Sequence, residues 1–177
     1  MCQRPPPPPE HDPMLLLTFR IGNALYALEA RRAVEVLPLV ALQHVPEAPP
    51  GVAGLFNYRG EPILAVDLCQ LILGRPARPS LSTRIIVVNT AGATAGRPRL
   101  LGLIAERATE ILRREERELT QPGRSEGAPY LGPVLMDARG MIRLLQPEYL
   151  PLASLTQPLR AQADAAATPE PGSPPAP

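Results

Sequence analysis

Leu28-Glu-Ala-Arg-Arg-Ala-Val-Glu-Val-Leu37 returns in the second half of the chain as Leu103-Ile-Ala-Glu-Arg-Ala-Thr-Glu-Ile-Leu112, identical at six of ten positions and with Val36 facing Ile111 as a conservative exchange. A looser echo relates Leu55-Phe-Asn-Tyr-Arg-Gly60 to Leu135-Met-Asp-Ala-Arg-Gly140 at nearly the same separation. One structural unit used twice accounts for both. The repeat also decides the fold. Taken alone, the Ala, Glu, Arg and Leu residues between 100 and 119 have strong helix propensity and read as one amphipathic helix. Their counterpart, however, ends an apolar run (15–21), a Gly22-Asn23 turn signal and a second run (24–28), which together read as a β-hairpin. If 24–28 is a strand, 100–103 is one too. The expected fold is therefore mainly β, with two similar small barrels and few, short helices. Barrels of this size are marginal alone, and packing them together gives them a shared apolar interface.

Working outward, 34–37 is a third strand ended by Pro38, and a proline-bounded connector follows over 44–50. Residues 63–68 read as a strand and 69–73 as a short helical turn, closed by Gly74 and Pro76. The β-branched run 84–89 is the clearest strand in the chain. Residues 90–96 are a Gly/Ala/Thr loop. Both ends are rich in Pro, Ala, Gly and Ser and too poor in large apolar groups to offset their ordering entropy. The organisation expected is a Pro-rich tail over 1–13, one domain of two barrel subdomains over 14–155, and a second disordered tail over 156–177. The chain is expected to cross between barrels near 74–84 and at the domain's ends.

Composition removes several chemistries. The 18 basic residues are all Arg and are balanced by 17 acids. The absence of Lys excludes a phosphate-loop lysine, a Schiff-base lysine and a kinase-type ATP lysine. No basic excess marks a nucleic-acid binder. Cys2 and Cys69 are too far apart in sequence and too few for a disulfide framework or zinc site, and fit a reduced cytoplasmic setting. No apolar run reaches the ~18 to 20 residues of a membrane span, so no direct membrane insertion is expected. His11 and His44 stand without a third ligand or a nucleophile. The Glu115-Glu116 run among Arg113, Arg114 and Arg117 reads as a solvated charged face. No catalytic residue, cofactor or metal site is assigned.

The residues Pro46-Glu-Ala-Pro-Pro-Gly-Val-Ala-Gly-Leu-Phe-Asn-Tyr-Arg-Gly60, followed by Pro62-Ile-Leu-Ala-Val-Asp-Leu68, resemble the signature of CheW-like domains. That signature is a proline connector, a Gly-x-x-Gly lead-in, an Asn-x-Arg-Gly turn and an apolar strand ending Asp-Leu. Phe19-x-Ile21-Gly22-x-x-x-Tyr26-Ala27-Leu28, Val34-Glu35-Val36 and Gly102-Leu-Ile-Ala-Glu106 also stand at family-like positions. The resemblance implies two SH3-like five-stranded barrels around a common apolar core. It also implies a non-catalytic cytoplasmic adaptor that joins the cytoplasmic tip of a methyl-accepting chemoreceptor to the regulatory domain of a CheA-type histidine kinase. With no kinase catalytic segment in the chain, it implies a free adaptor recruited to membrane-associated receptor arrays. Several stretches resemble a Wsp-type surface-sensing branch with cyclic-di-GMP output. Glu106 in place of Asp, Tyr58 in place of Leu and the two tails depart from the family and bear on partner choice.

Partner-binding candidates centre on Arg59 and Gly60. A guanidinium held in a strand-to-strand turn presents a rigid fork of donors to a carboxylate or to backbone carbonyls, and Gly60 supplies the positive φ of a sharp turn. The alternative for Arg59 is a brace to Glu35 or Asp67 within its own barrel. Asn57 is expected to bond the turn backbone, and Asp67 to cap the helix that follows it. Tyr58 is read as an exposed aromatic suited to an interface. Glu35 carries a receptor-contact role by resemblance, or is simply solvated. Val34 and Val36 line a groove between barrels or fill a core. A CheV-like coupling protein lacking its receiver domain, a regulatory scaffold of a cyclic-di-GMP pathway, and a small hydrolase are the competing functions. The last lacks any nucleophile motif.

Overall fold

The computed structural model describes residues 13–90, 99–121 and 127–155. The tail read over 1–13, apart from residue 13, the tail over 156–177 and most of the 90–96 loop lie outside the described residues. The strands are β1 (Met14–Ile21), β2 (Ala24–Glu29), β3 (Ala33–Pro38), β4 (Val52–Tyr58), β5 (Glu61–Asp67), β6 (Arg84–Asn89), β7 (Leu100–Arg114), β8 (Leu131–Asp137) and β9 (Gly140–Leu145); the described residues also include the short helix α1 (Leu68–Leu73), three single-turn 3-10 helices and helical residues at 152–155.

These strands make two SH3-like five-stranded barrels that share β7. Barrel A runs in the order β7-β1-β2-β9-β8 and barrel B in the order β3-β6-β7-β5-β4. The sequence of pairings is the same in both: antiparallel, antiparallel, parallel, antiparallel. Even the extra bridge near each barrel's last strand is duplicated, Gln43 with Leu55 and Thr120 with Val134. The internal repeat is thus the primary-structure trace of an approximate two-fold.

Three apolar clusters follow from the period-two alternation of strand side chains. On β6, Ile85 and Val87 point into barrel B with Phe56, Tyr58, Ile63, Ala65 and Ile104. The intervening Ile86 and Val88 point the other way, into a larger core shared with Leu17, Phe19, Ile21, Leu28, Leu64, Val66 and Leu103. Leu16, Leu25, Ala27, Leu135, Ile142 and Leu144 fill barrel A. Strands with both faces covered need unbroken apolar runs, which is why 85–88, buried throughout, shows no polar alternation. Each fully buried Leu, Ile or Phe contributes roughly 1.5–3 kcal/mol, so the shared cluster is the main reason the halves form one unit.

Crossing between barrels occurs elsewhere than the sequence reading placed it. The chain leaves barrel A at the 3-10 turn Ala30–Arg32 and returns within β7, where residues 100–105 pair with β6 and residues 106–114 pair with β1. Residues 74–84 do not cross. They connect α1 to β6 inside barrel B and lie over the β7 switch, with the Arg78 amide donating to Glu106 (2.9 Å) and the Ala108 amide to the Ser82 carbonyl (3.2 Å). Gly and Pro at 74–76 mark the end of a helix, and α1 indeed stops at Gly74 with φ +69°. They carry no information about which sheet receives the next strand. Both crossings sit inside the repeated decapeptide, so Arg32 and Arg107 occupy equivalent bends.

Candidate functional site

The β4–β5 hairpin closes on Arg59 and Gly60, between the paired residues Tyr58 and Glu61. Both turn residues have positive φ, +53° for Arg59 and +92° for Gly60, as a two-residue turn compatible with strand twist requires. Asn57 stabilises the bend from its own strand: its Oδ1 accepts the Gly60 amide at 2.8 Å. That is the backbone role expected for it. Asp67 likewise caps α1, with Oδ1 accepting the Cys69 and Gln70 amides at 2.8 and 3.1 Å and Oδ2 accepting the Ala77 amide at 2.7 Å. It is therefore not the partner of Arg59.

That partner is Glu35. Its Oε2 accepts from the Arg59 guanidinium at 2.9 Å and from the Tyr58 hydroxyl at 2.8 Å. These contacts hold the Glu35 carboxyl below its ordinary range, the Tyr58 hydroxyl first and Arg59 next, with desolvation opposing them. The Tyr58 phenol is pushed up, chiefly by the same hydrogen bond. The Arg59 guanidinium lies 5.2 Å from the Tyr58 ring centroid and its side chain remains 74% exposed. It braces its barrel and still offers most of its donors to solvent.

Tyr58 is not the exposed aromatic that the sequence reading placed there. It is 7% exposed and belongs to the barrel B interior. The alternation of β4 dictates this: Gly54, Phe56 and Tyr58 face inward and Asn57 faces out. Only the hydroxyl reaches the barrel mouth.

Val34 and Val36 are exposed, at 51% and 40%. They lie on the face of β3 opposite to Glu35 and Leu37, with Val36 paired across to Ile86 of the shared core. Leu39 and Val40 continue the exposed apolar ridge beyond Pro38. Among the described residues β3 ends its sheet and pairs with β6 alone. The candidates thus separate into two surfaces borne on one edge strand, a charged turn cluster and an apolar ridge.

A second copy of this arrangement went unread in the sequence. Glu110 of β7 occupies the repeat position of Glu35 and is ion-paired with Arg139, which occupies the position of Arg59. Arg139 also bonds Asp137 at 2.8 Å, and Asp137 is bound in turn by Arg114. The Asp137 carboxyl is held down at about 2, by Arg139 first. Ile111, the counterpart of Val36, is exposed, as are Met136 and Met141, paired across β8 and β9. The signal was present in the looser echo ending at Gly140.

Among the described residues no group of three or more His, Cys, Asp or Glu could hold a metal ion, and no helix is long and apolar enough to cross a membrane. Cys69 is a free, buried thiol, pushed up to about 11 by burial.

Two SH3-like barrels with a common core, carrying their distinctive features as open surfaces on strand edges and turns, place the chain in the class of double-barrel β modules. The family model of the CheW-like domain matches residues 15–153, and the chain belongs to that family. Among solved structures it is similar to the scaffolding protein TtCheW from Thermoanaerobacter tengcongensis, with a TM-score of 0.66 and 22% sequence identity over 82% of this chain and 89% of that one. No curated protein sequence matches.

Proposed function

We propose that the protein is a non-catalytic adaptor that couples the cytoplasmic tip of a methyl-accepting chemoreceptor to the regulatory domain of a CheA-type histidine kinase, working in the cytoplasm at receptor arrays. The observation that carries this reading is the edge strand β3, which bears exposed Val34 and Val36 on one face and the Glu35–Arg59 cluster on the other. An open strand edge can pair with a partner's backbone, and alternate side chains then supply selectivity. An apolar ridge suits a helical or sheet surface, whereas an exposed guanidinium suits an acidic or carbonyl-lined one. An adaptor needs two such surfaces of different chemistry, and family membership supports the assignment.

The experiment is reconstitution with kinase and receptor. The protein alone should show no turnover, and with receptor present it should raise kinase autophosphorylation. Arg59→Glu should retain the fold and weaken one partner, and Val36→Arg should weaken the other. Unchanged capture of both partners by folded variants would remove this strand and turn from the interface.

A further inference from the structure

A cleft of about 220 Å³ opens where three separate segments meet. The β1–β2 turn contributes Arg20, Gly22 and Asn23. The segment after α1 contributes Arg75, Arg78 and Ser80, and the barrel switch of β7 contributes Glu106 and Arg107. Four arginines and one glutamate leave a formal surplus of three positive charges in one concavity, on a chain whose net charge is only +1.

The single carboxylate is already engaged. Glu106 Oε1 accepts from Arg75 at 3.1 Å and from the Arg78 amide at 2.9 Å, and its side chain is 12% exposed. Burial alone would push its carboxyl up, but those two donors outweigh it and hold it below the ordinary range. Glu106 therefore neutralises Arg75. Arg20 donates to the Asn23 carbonyl in its own turn, at 2.8 Å. Among the described residues Arg20, Arg78 and Arg107 form no ion pair. Their convergence has a cause in the backbone. β1 and β7 shift register between Thr18 and Arg20, where Arg20 pairs with Glu106, and Arg107 takes φ +52° in the resulting bulge. Left-handed geometry is unfavourable at a non-glycine residue, and here it places Arg107 in the lining of the cleft.

We infer that this cleft is a binding site for a phosphate-bearing small molecule, held by Arg20, Arg78 and Arg107. Three guanidinium forks on different segments match the several acceptor oxygens of a tetrahedral anion. The volume holds several waters at the ~30 Å³ each occupies in the liquid. It therefore admits a phosphoryl group with a small organic body. A bound anion would bridge the barrel A turn, the barrel B segment and the strand that joins them, and would stabilise the folded state by mass action. The site is independent of the adaptor surfaces on β3.

The test titrates inorganic phosphate into the full chain, followed by backbone amide NMR and by thermal unfolding, with sodium chloride at matched ionic strength and glutarate as comparison anions. Phosphate is expected to saturate with a Kd below about 1 mM, with shifts confined to residues around 20–23, 75–80 and 106–107. It should raise Tm by roughly 2–4 °C once in severalfold excess. Arg78→Gln keeps the backbone donor to Glu106, and Arg107→Asn suits the left-handed bend, so both should fold. Each should weaken phosphate about tenfold, whereas Arg113→Gln, exposed on β7 outside the cleft, should not. The inference is overturned by no saturable response up to roughly 20 mM phosphate, by an equal response to chloride, or by unchanged affinity in folded Arg78→Gln and Arg107→Asn. Glutarate binding as tightly as phosphate would also overturn it, and would instead mark a socket for a partner's acidic side chain.

Discussion

One oxygen of Glu35 receives both Arg59 and Tyr58, at 2.9 and 2.8 Å. The exposed guanidinium that the family signature draws attention to is therefore tied to a strand more than twenty residues earlier, and through Tyr58 to the interior of barrel B. Two constraints act on one side chain: the turn presents Arg59 outward while the carboxylate limits where it can swing. Glu110 and Arg139 repeat the pairing in barrel A.

Arg59→Asn should leave stability nearly unchanged. Asn accepts positive φ more readily than Arg, and Asn-Gly is a favoured hairpin turn, a gain of about 1 kcal/mol. The loss is an exposed ion pair and an exposed cation–π contact, together worth of the same order. Tm should stay within roughly 2–4 °C of the parent, so any fall in partner binding by this variant reports the interface and not the fold. A drop well beyond that range, measured by thermal unfolding, would make the Glu35 brace a structural necessity.

Tyr58→Phe should cost about 0.5–1.5 kcal/mol, the net value of one hydrogen bond, and should raise the Glu35 carboxyl by removing the first cause of its depression. Tyr58→Ala should cost about 3–5 kcal/mol by opening a cavity in barrel B. Equal costs for the two, from urea unfolding, would show that the ring contributes nothing beyond its hydroxyl.

The repeat made the double barrel legible because duplicated pairings leave duplicated sequence, and Gly22-Asn23, Asp67 and the 84–89 run were legible because turns, caps and doubly buried strands have local chemistry. Three features were not. Tyr58 stands next to an exposed turn, and only the register of β4, fixed by Phe56, turns it inward. The length of β7 was hidden because its Ala, Glu and Arg residues favour helix and its partners lie far away in sequence. The crossing point depends on which sheet accepts a strand, a long-range choice to which Gly74 and Pro76 contribute nothing. The arginine cleft was invisible for the same reason, since its lining comes from three distant segments.

Gly102→Ala should be among the most damaging single-methyl changes. A Cβ there would lie 2.6 Å from Phe56 Cε1 and 2.9 Å from Ile85 Cγ2, inside the packed interior of barrel B, where neither ring nor branched side chain can retreat freely. Overpacking of this kind costs about 1–3 kcal/mol. A paired Gly102→Ala/Phe56→Leu variant, which removes the ring edge nearest the new methyl, should recover part of it, and no recovery in chemical denaturation would place the strain at Ile85 Cγ2.

Acid should destabilise the protein progressively. Asp137 is held at about 2, by Arg139 first and then by the Ala138 and Arg139 amides and Arg114, with burial opposing them. Glu35 and Glu106 are also depressed, whereas unfolded carboxylates titrate near 3.9–4.3. A group whose folded pKa lies below its unfolded one contributes stability that is complete above the unfolded value and is lost as pH falls through the folded one. The urea midpoint should therefore be flat above about pH 5 and fall steadily from about pH 4 to 2. Asp137→Asn should lower the neutral plateau and flatten that slope, because the group that takes up the proton is gone. An unchanged acid slope in Asp137→Asn would transfer the effect to Glu35 and Glu106, which Glu35→Gln and Glu106→Gln then separate.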